Sequence, residues 1–487
     1  MNKGLIFYLL GRITAVASGL FVFPIIVSVI YADGCFFDFL IPAAAMFLCG
    51  AAVSLKKPKT RISYAREGFV IVTLMWVILS LFGSVPYIMS GAIPSFIDAF
   101  FETVSGFSTT GVTTLADVEI LPKSLLFWRS FTNWAGGMGV LALAIAILPA
   151  EEAKEKAKNS SVYILKAETP GPKFGKLVSK VHYNVRILYG IYIALTAIGV
   201  VLLCIGGMPV FDSIVNMFGT AGTGGFAIKN FSIAHYNSVY FEVVIGLFML
   251  LFGINFNIYY FIIIGKVSKV FKSEELRWYL GIIGAAALAI AVNISHLTGS
   301  FLTSLRYAFF QVSSIITTTG YTSTDYDLWP TFSKTILFVL MFVGSCAGST
   351  GGGIKISRVL IMVKTAIKEV RYMINPREVC TIKCDGEYVE QRTVIGVSSY
   401  MLAYIIIFVS SVVIVSLEGF DIASTVAAVV TCINNIGPEL NKIGGAVQNF
   451  SEFSVLSKCV LTFNMLAGRL EIFPLLILFS PSIWKKG

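Results

Sequence analysis

The chain has 487 residues, of which 56% are hydrophobic and only 13% are charged, and its mean hydropathy is +0.81. Soluble globular proteins carry about 25% charged residues, so this composition excludes that class and predicts a helical protein that crosses a membrane many times. The formal net charge of +10 does not indicate a nucleic-acid partner, because the basic residues are spread over many short loops.

Membrane-crossing segments can be located by length, because a helix needs about 20 apolar residues to span a bilayer. Ten segments meet this requirement: 4–31, 36–54, 68–91, 125–149, 184–207, 238–265, 276–296, 333–363, 392–417 and 454–480. Four shorter apolar runs lie between the third and fourth, fifth and sixth, seventh and eighth, and ninth and tenth segments: 95–108, 210–221, 303–316 and 420–433. A helix of about 12 residues is about 18 Å long and crosses half of the membrane. We therefore predict that each short run enters as a half-helix and that the chain then returns, as in a pore loop.

A short stretch that contains glycine follows each half-helix. The four stretches are Thr109, Thr110, Gly111 and Val112; Thr223, Gly224, Gly225 and Phe226; Thr318, Thr319, Gly320 and Tyr321; and Asn435, Ile436, Gly437 and Pro438. Carbonyl groups that all face one axis require unusual backbone dihedrals, which glycine adopts without a Cβ penalty. One such cluster alone would more often indicate close helix packing. Four clusters at equivalent places predict a filter whose oxygens replace the water of a dehydrated cation.

The basic residues give the orientation, because short cytoplasmic loops are enriched in Lys and Arg. They cluster after the second, fourth, sixth and eighth spans and at the C-terminus, and the half-helices must re-enter for all these clusters to share one face. We expect this face, and both termini, to be cytoplasmic. The predicted units are an N-terminal hairpin with its basic loop and four pore repeats: 1–66, 67–182, 183–275, 276–391 and 392–487.

The eighth span contains a glycine-rich segment that cannot remain helical. Five glycines lie within ten residues, and each is unfavourable in a helix interior: Gly344, Gly348, Gly351, Gly352 and Gly353. We expect an intramembrane loop just beneath the third filter that opens or blocks the ion path. A broken helix used only for packing is the alternative.

Charged residues inside the spans are costly and point to function. Arg469 is predicted to line the pore below the filters as a barrier to cations, although a structural ion pair with another helix is equally compatible with the sequence. Glu471 should face elsewhere, because residues two apart lie on different faces of a helix. We expect Glu102, within the first half-helix, to meet a neighbouring pore segment, with Arg306 as its partner, and Arg129 to snorkel at the outer end of a span.

The sequence shows no pattern typical of an enzyme. Its eight cysteines and three histidines make no metal-ligand or disulfide pattern, and no nucleophile–base pair or dinucleotide fingerprint is present. We therefore expect a transport protein without an organic cofactor.

Taken together, these motifs resemble those of the Trk/Ktr/HKT superfamily of cation transporters. The resemblance to the superfamily rests on the four filter stretches. Further features are similar to the bacterial TrkH/TrkG branch: the initial two-span hairpin, Trp134–Gly139, Pro170–Pro172, Gly344–Arg358 and Ala467–Arg469. It covers nearly the whole chain. One departure is Glu439, a charged residue after the fourth filter where we would expect a small one.

The resemblance implies an all-α polytopic membrane protein with a two-helix hairpin and four span–pore loop–span repeats around a pseudo-fourfold pore. It implies potassium uptake across the bacterial inner membrane, with potassium bound at the filters, and a glycine such as Gly111 in the first filter goes with potassium preference. It further implies a homodimer surrounded by membrane lipid, in which the glycine-rich segment and Arg469 gate the pore. It also implies a separate TrkA-like cytosolic ring that binds nucleotides. We expect that ring to dock on the basic loops 150–182 and 364–391. A proton- or sodium-coupled potassium symporter remains open as an alternative, whereas a scaffold without transport is disfavoured by four filters.

Overall fold

A computed structural model describes residues 2–58, 65–139, 181–377, 381–437 and 450–481. The described residues are mostly helical, and their one sheet is a two-stranded hairpin on a loop. The helices are α1 (Lys3–Ala17), α2 (Val22–Tyr31), α3 (Phe36–Ser54), α4 (Ala65–Met89), α5 (Phe96–Phe107), α6 (Lys123–Gly137), α7 (Val181–Ile205), α8 (Val210–Gly222), α9 (Val239–Gly253), α10 (Phe256–Ile263), α11 (Val267–Lys272), α12 (Glu274–Thr298), α13 (Phe301–Ile316), α14 (Thr331–Val343), α15 (Ile356–Ile374), α16 (Gln391–Val415), α17 (Ile422–Asn434), α18 (Val455–Arg469) and α19 (Phe473–Leu478). The strands are β1 (Lys383–Cys384) and β2 (Glu387–Tyr388), which pair antiparallel.

Within the described ranges, six helical segments are long and apolar enough to cross a membrane, or seven if α9 and α10 count as one bent span. The first of these, Lys3–Tyr31, joins α1 and α2 through a short 3-10 turn. The predicted eighth and tenth spans are interrupted, the former by the glycine-rich segment and the latter after Arg469. The fourth is described only as far as residue 139.

The predicted sixth span, 238–265, is wrong as a continuous helix, because α9 and α10 meet at an angle of 90°. The Asn255 side chain caps α10 by accepting a hydrogen bond from the Asn257 N–H at 3.0 Å. The carbonyl of Gly253 accepts from the N–H of Cys346 at 3.1 Å, so the open backbone at the bend is used by another segment. The bend is therefore where the glycine-rich segment docks.

The first hairpin packs closely through small residues. A Cβ atom added to Gly11 would lie 2.7 Å from the Gly50 carbonyl oxygen, and one added to Gly50 would lie 2.6 Å from the Ala15 nitrogen. Helices inside a membrane pack through such small residues, because lipid provides no hydrophobic driving force between them. Glycine at these positions lets α1 and α3 approach backbone to backbone.

The four predicted half-helices are confirmed as α5, α8, α13 and α17, each within two residues of the predicted ends. We call them the pore helices. Each packs against the helix that follows the filter of the preceding repeat: α8 against α6, α13 against α9, α17 against α14, and α5 against α18. Because the fourth repeat contacts the first in this way, the repeats close into a ring around one axis.

Candidate ion pathway

The four filter stretches follow one backbone path although their sequences differ. Their first residues lie in the left-handed region, at φ of 57°, 53°, 61° and 55° for Thr109, Thr223, Thr318 and Asn435. The glycines two positions later also have positive φ, 80°, 63°, 85° and 107° for Gly111, Gly225, Gly320 and Gly437. Glycine takes such angles without the steric penalty that other residues meet. The shared path therefore explains why a glycine recurs in every repeat.

Neighbouring filters touch at these same glycines. A Cβ atom added to Gly111 would overlap the carbonyl oxygen of Gly224 in the second filter. The same relation continues around a circle, from Gly225 to the carbonyl of Thr319, from Gly320 to that of Ile436, and from Gly437 to that of Thr110, where the distance is 3.2 Å. Each contact joins one filter to the next, and the last returns to the first. The four filters therefore form a closed ring.

Each filter is tied to its own pore helix by an equivalent backbone hydrogen bond. The N–H one residue before the glycine donates to the carbonyl five residues earlier, at 2.9 Å for Thr110 to Ser105, 3.0 Å for Gly224 to Gly219, 2.9 Å for Thr319 to Ser314 and 3.1 Å for Ile436 to Thr431. All four pore helices thus end at the ring. Their C-terminal ends carry partial negative charge, which favours a cation where the filters meet.

The residue after each of the first three glycines supports the filter. The carbonyl of Val112 accepts from the Ser105 hydroxyl at 2.6 Å, and that of Tyr321 accepts from the Ser314 hydroxyl at 2.7 Å. The carbonyl of Phe226 accepts from the Ser130 hydroxyl at 3.3 Å and from the Tyr321 hydroxyl at 3.4 Å. These three oxygens are engaged by side chains, so the carbonyls before the glycines are the better candidates for an ion.

Several filter side chains hold the ring rather than project into it. The Thr110 hydroxyl lies 2.7 Å from that of Ser108, and the Thr319 hydroxyl lies 2.8 Å from that of Thr317. The Asn435 amide donates to the Thr110 hydroxyl at 2.8 Å, which joins the fourth filter to the first. These bonds fix the loops that carry the backbone oxygens.

The glycine-rich segment between α14 and α15 lies directly against the filters. The N–H of Gly352 donates to the Thr318 hydroxyl at 2.7 Å, and a Cβ atom at Gly352 would overlap the Asn434 carbonyl. The segment is also fixed from outside the ring, because the N–H of Ala347 donates to the Glu275 carboxylate at 2.7 Å. It therefore touches the third and fourth repeats at once.

Arg469 joins this segment to the opposite side of the molecule. Its guanidinium donates to the Thr350 carbonyl at 2.9 Å, to the Gly137 carbonyl at 2.7 Å, and to the Gly136 carbonyl. Thr350 belongs to the glycine-rich segment, and the two glycines end α6 in the first repeat. The guanidinium therefore bridges the first, third and fourth repeats beside the filter ring.

The TrkH family model, which describes a cation transport protein, matches residues 37–486. The chain belongs to the TrkH family of cation transport proteins. It is 35% identical to the Trk system potassium uptake protein TrkH of Salmonella typhimurium, with 98% of each chain covered. It is 33% identical to the potassium uptake protein TrkG of Escherichia coli, over 95% of this chain and 94% of the relative. The crystal structure of the potassium transporter TrkH from Vibrio parahaemolyticus matches with a TM-score of 0.87 and 32% identity over 100% of both chains. The predicted family and the helical pore-repeat fold are confirmed.

Two predictions about charged residues in this TrkH-family chain are wrong. Arg129 does not snorkel at a span end, since only 2% of its side chain is exposed and it pairs with Glu102 at 2.8 Å. Arg306 does not pair with Glu102, because it lies 3.0 Å from Glu242 on α9. The charged residues are visible in the sequence, but the rotation of each helix about its axis, which decides which side chains meet, is not.

Other charged residues beside the filters were missed. Lys355 is buried at the end of the glycine-rich segment, and its ammonium donates to the Gly351 carbonyl. Arg358 pairs with Glu471 and lies 3.9 Å from the centre of the Tyr400 ring. These residues could have been predicted to be buried and paired, because they directly follow a glycine cluster in the middle of a span, where a charge is costly unless it has a partner.

The described hydrogen bonds of Arg469 go to Thr350, Gly136 and Gly137, whereas Glu471 pairs with Arg358. The two residues do not lie on two faces of one helix, as the sequence predicted, because the helix ends at Arg469. Glu471 and Ile472 have φ of 62° and 59°, which no helix continues through. Pro438, Glu439, Pro170–Pro172 and residues 150–180 lie outside the described residues.

Proposed function

We propose that this protein takes up potassium across the bacterial inner membrane through the ring of four filters. The closed ring of filter contacts is the observation that carries this proposal. A ring of backbone oxygens can replace the hydration shell of a cation. The relatives named potassium uptake proteins give the cation its identity.

The oxygens that best fit this role are the carbonyls before the filter glycines, since they lie at the contacts between neighbouring filters. They belong to Thr110, Gly224, Thr319 and Ile436. The remaining described members of the proposed site are the residues that shape the loops: Thr109, Gly111, Val112, Thr223, Gly225, Phe226, Thr318, Gly320, Tyr321, Asn435 and Gly437. Pro438 belongs to the predicted fourth filter but lies outside the described residues. Potassium is the cargo here, and no organic cofactor is needed for its passage.

The glycine-rich segment and Arg469 form the proposed gate. The segment lies against the third and fourth filters, and the guanidinium holds it to the end of α6 through Thr350. An ion leaving the ring toward this side meets both a polypeptide loop and a positive charge. Opening requires the segment to leave Thr318 and Arg469 to release Thr350.

A separate TrkA-like nucleotide-binding ring is the proposed regulator. The predicted basic loop 364–391 is helical as far as Ile374, because α15 continues past the predicted end of the span, and contacts of this segment offer a route to the gate. The Lys364 ammonium donates to the Glu274 carboxylate at 2.6 Å, and the Glu274 N–H donates to Asp385 in the β hairpin at 2.6 Å. The next residue, Glu275, accepts from Ala347 in the glycine-rich segment. A force on this cytoplasmic hairpin is thereby transmitted to the gate.

The same proposal places both termini in the cytoplasm and a second copy of the chain beside the first. The spanning helices expose large apolar side chains, among them Leu48, Val292 and Leu402, at 65%, 64% and 62%. In a membrane these surfaces face lipid or the partner copy.

Coupled symport is the second candidate, and it would need a titratable side chain near the ion path, for which Glu471, two residues after Arg469, is the candidate. Its carboxylate is already engaged in an ion pair with Arg358. A channel-like path is therefore the better account.

The test is ion flux into liposomes that contain the purified protein, with and without the cytosolic partner. We expect potassium to move down its own gradient at a much higher rate than sodium. Potassium accumulation driven by a proton gradient alone would establish symport instead. Equal sodium and potassium rates would refute the selective filter.

A further inference from the structure

The buried pair of Glu102 and Arg129 joins the first filter to the second. Glu102 lies on the first pore helix and Arg129 lies on α6, which follows the first filter. The Arg129 Nε lies 2.8 Å from the Glu102 carboxylate, and the two side chains are 0% and 2% exposed. Removing two charges from water is costly, so such a pair requires further hydrogen bonds to be tolerated.

The Glu102 carboxylate also accepts hydrogen bonds from the residues that follow the first filter. It accepts from the Thr113 hydroxyl at 3.0 Å and from the Thr114 N–H at 2.9 Å. Thr113 is two residues beyond Gly111. The carboxylate thus fixes the exit of the first filter to the first pore helix.

The Arg129 guanidinium also contacts the second filter and the residue that follows it. It donates to the Ala227 carbonyl at 3.2 Å, and its carbon lies 4.2 Å from the centre of the Phe226 ring. The adjacent residue, Ser130, donates to the Phe226 carbonyl at 3.3 Å. Phe226 directly follows Gly225, so Arg129 and Ser130 both hold the second filter next to its glycine.

Neutral groups hold two of the other three filter junctions in the described part of the chain. The Tyr321 hydroxyl of the third filter donates to the Asn216 carbonyl in the second repeat at 3.0 Å. The Asn435 amide of the fourth filter donates to Thr110 of the first at 2.8 Å. The charged pair of Arg306 and Glu242 also links two repeats, but its described contacts lie away from the filters.

We propose that Glu102 and Arg129 are positioning residues that set the potassium-over-sodium preference by fixing the spacing of the first two filters. This inference rests on the proposed potassium-selective function. Selectivity depends on where the carbonyl oxygens stand relative to the ion. The first and second filters meet where Gly111 contacts the Gly224 carbonyl, and the Glu102–Arg129 pair holds both filters beside this contact. Without the pair, the distance between these two filters can increase.

Arg129→Lys is the decisive variant, because lysine keeps the charge but lacks the planar fork that reaches both Glu102 and Ala227. The matched control is Arg306→Lys, the same substitution in the pair that does not reach a filter. Thr113→Val is a milder second variant, since it removes the hydroxyl that donates to Glu102 and keeps the side-chain shape. Glu102 is left intact in all three variants, so that no unpaired buried guanidinium is created.

The measurement is the ratio of potassium to sodium flux in liposomes, with melting temperature and yield as checks on folding. We expect Arg129→Lys to lower the ratio about tenfold, the factor that corresponds to one hydrogen bond of a charged group. Thr113→Val should lower it in the same direction, including when Arg129→Lys yields no folded protein, and Arg306→Lys should leave it unchanged.

Unchanged ratios in both Arg129→Lys and Thr113→Val would overturn the inference while leaving a selective wild-type filter in place. A wild-type protein without potassium preference would overturn the proposed function itself. An equal fall in the ratio for Arg306→Lys would show a general loosening of the repeats and would also overturn the specific role of the pair.

Discussion

Replacing Arg469 by alanine tests the gate through a single side chain. The guanidinium ties the glycine-rich segment to α6 by donating to Thr350 at 2.9 Å and to Gly137 at 2.7 Å. Alanine removes this bridge and, at the same time, a positive charge from the proposed ion path. We expect a higher basal potassium flux in the absence of the proposed cytosolic partner.

The size of the effect follows from the lost hydrogen bond to the gate. A hydrogen bond from a charged group contributes about 1.5–3 kcal/mol. Losing the bond to Thr350 alone therefore shifts the equilibrium between closed and open states by roughly tenfold to a hundredfold. Basal flux should rise by a similar factor, up to the rate of the fully open pore.

The assay is rubidium uptake into liposomes at matched protein density, with Arg469→Lys as the control for charge. Lysine keeps a positive charge but cannot bridge Thr350 and Gly137 with a planar fork. If the bridge holds the gate closed, basal rubidium uptake of the Arg469→Lys variant should exceed that of the wild type, although by less than that of Arg469→Ala. Lysine at the wild-type level would assign the barrier to charge alone, and folded Arg469→Ala with unchanged basal flux would refute the gate.

Further predictions follow from the filter, the gate and the loop between the first filter and α6. Gly111→Ser should lower the potassium-to-sodium permeability ratio in reversal-potential measurements, because φ is 80° there and an added Cβ overlaps the next filter; an unaltered ratio would remove Gly111 from the filter. Gly352→Ala should raise basal uptake by displacing the gate from the Asn434 carbonyl, and tight closure in that variant would contradict the observed contact. In the loop between the first filter and α6, the hydrogen bond from Lys229 lowers the pKa of Glu119, so this carboxylate stays charged at pH 5 and loses its charge only as pH falls through that lowered pKa. Potassium uptake should therefore be equal at outer pH 7 and pH 5, whereas a steep change over that range would favour proton coupling.

The pore helices and filters were predictable because their signals are local. A run of about 12 apolar residues cannot span a bilayer, and a glycine after it satisfies a backbone path that other residues resist. The glycine-rich break between α14 and α15 was predictable for the same reason. Gly111 and Gly352 could therefore be located from the sequence, although the groups that they touch could not.

The remaining features depend on contacts between distant segments. The bend between Gly253 and Phe256 has continuous apolar sequence on both sides, and it is stabilised by Cys346 and Gly348 from another repeat. The partner of Glu102 is decided by the rotation of α6 relative to the first pore helix, which no short pattern records. Both errors come from treating each span as a separate straight helix.

The position of bound ions tests the central claim most directly. Crystals grown with thallium in place of potassium should show anomalous density on the axis of the filter ring, within reach of the carbonyls of Thr110, Gly224, Thr319 and Ile436. Density that instead lies outside the ring, or that fails to appear in the filters at thallium concentrations that support flux, would contradict this account.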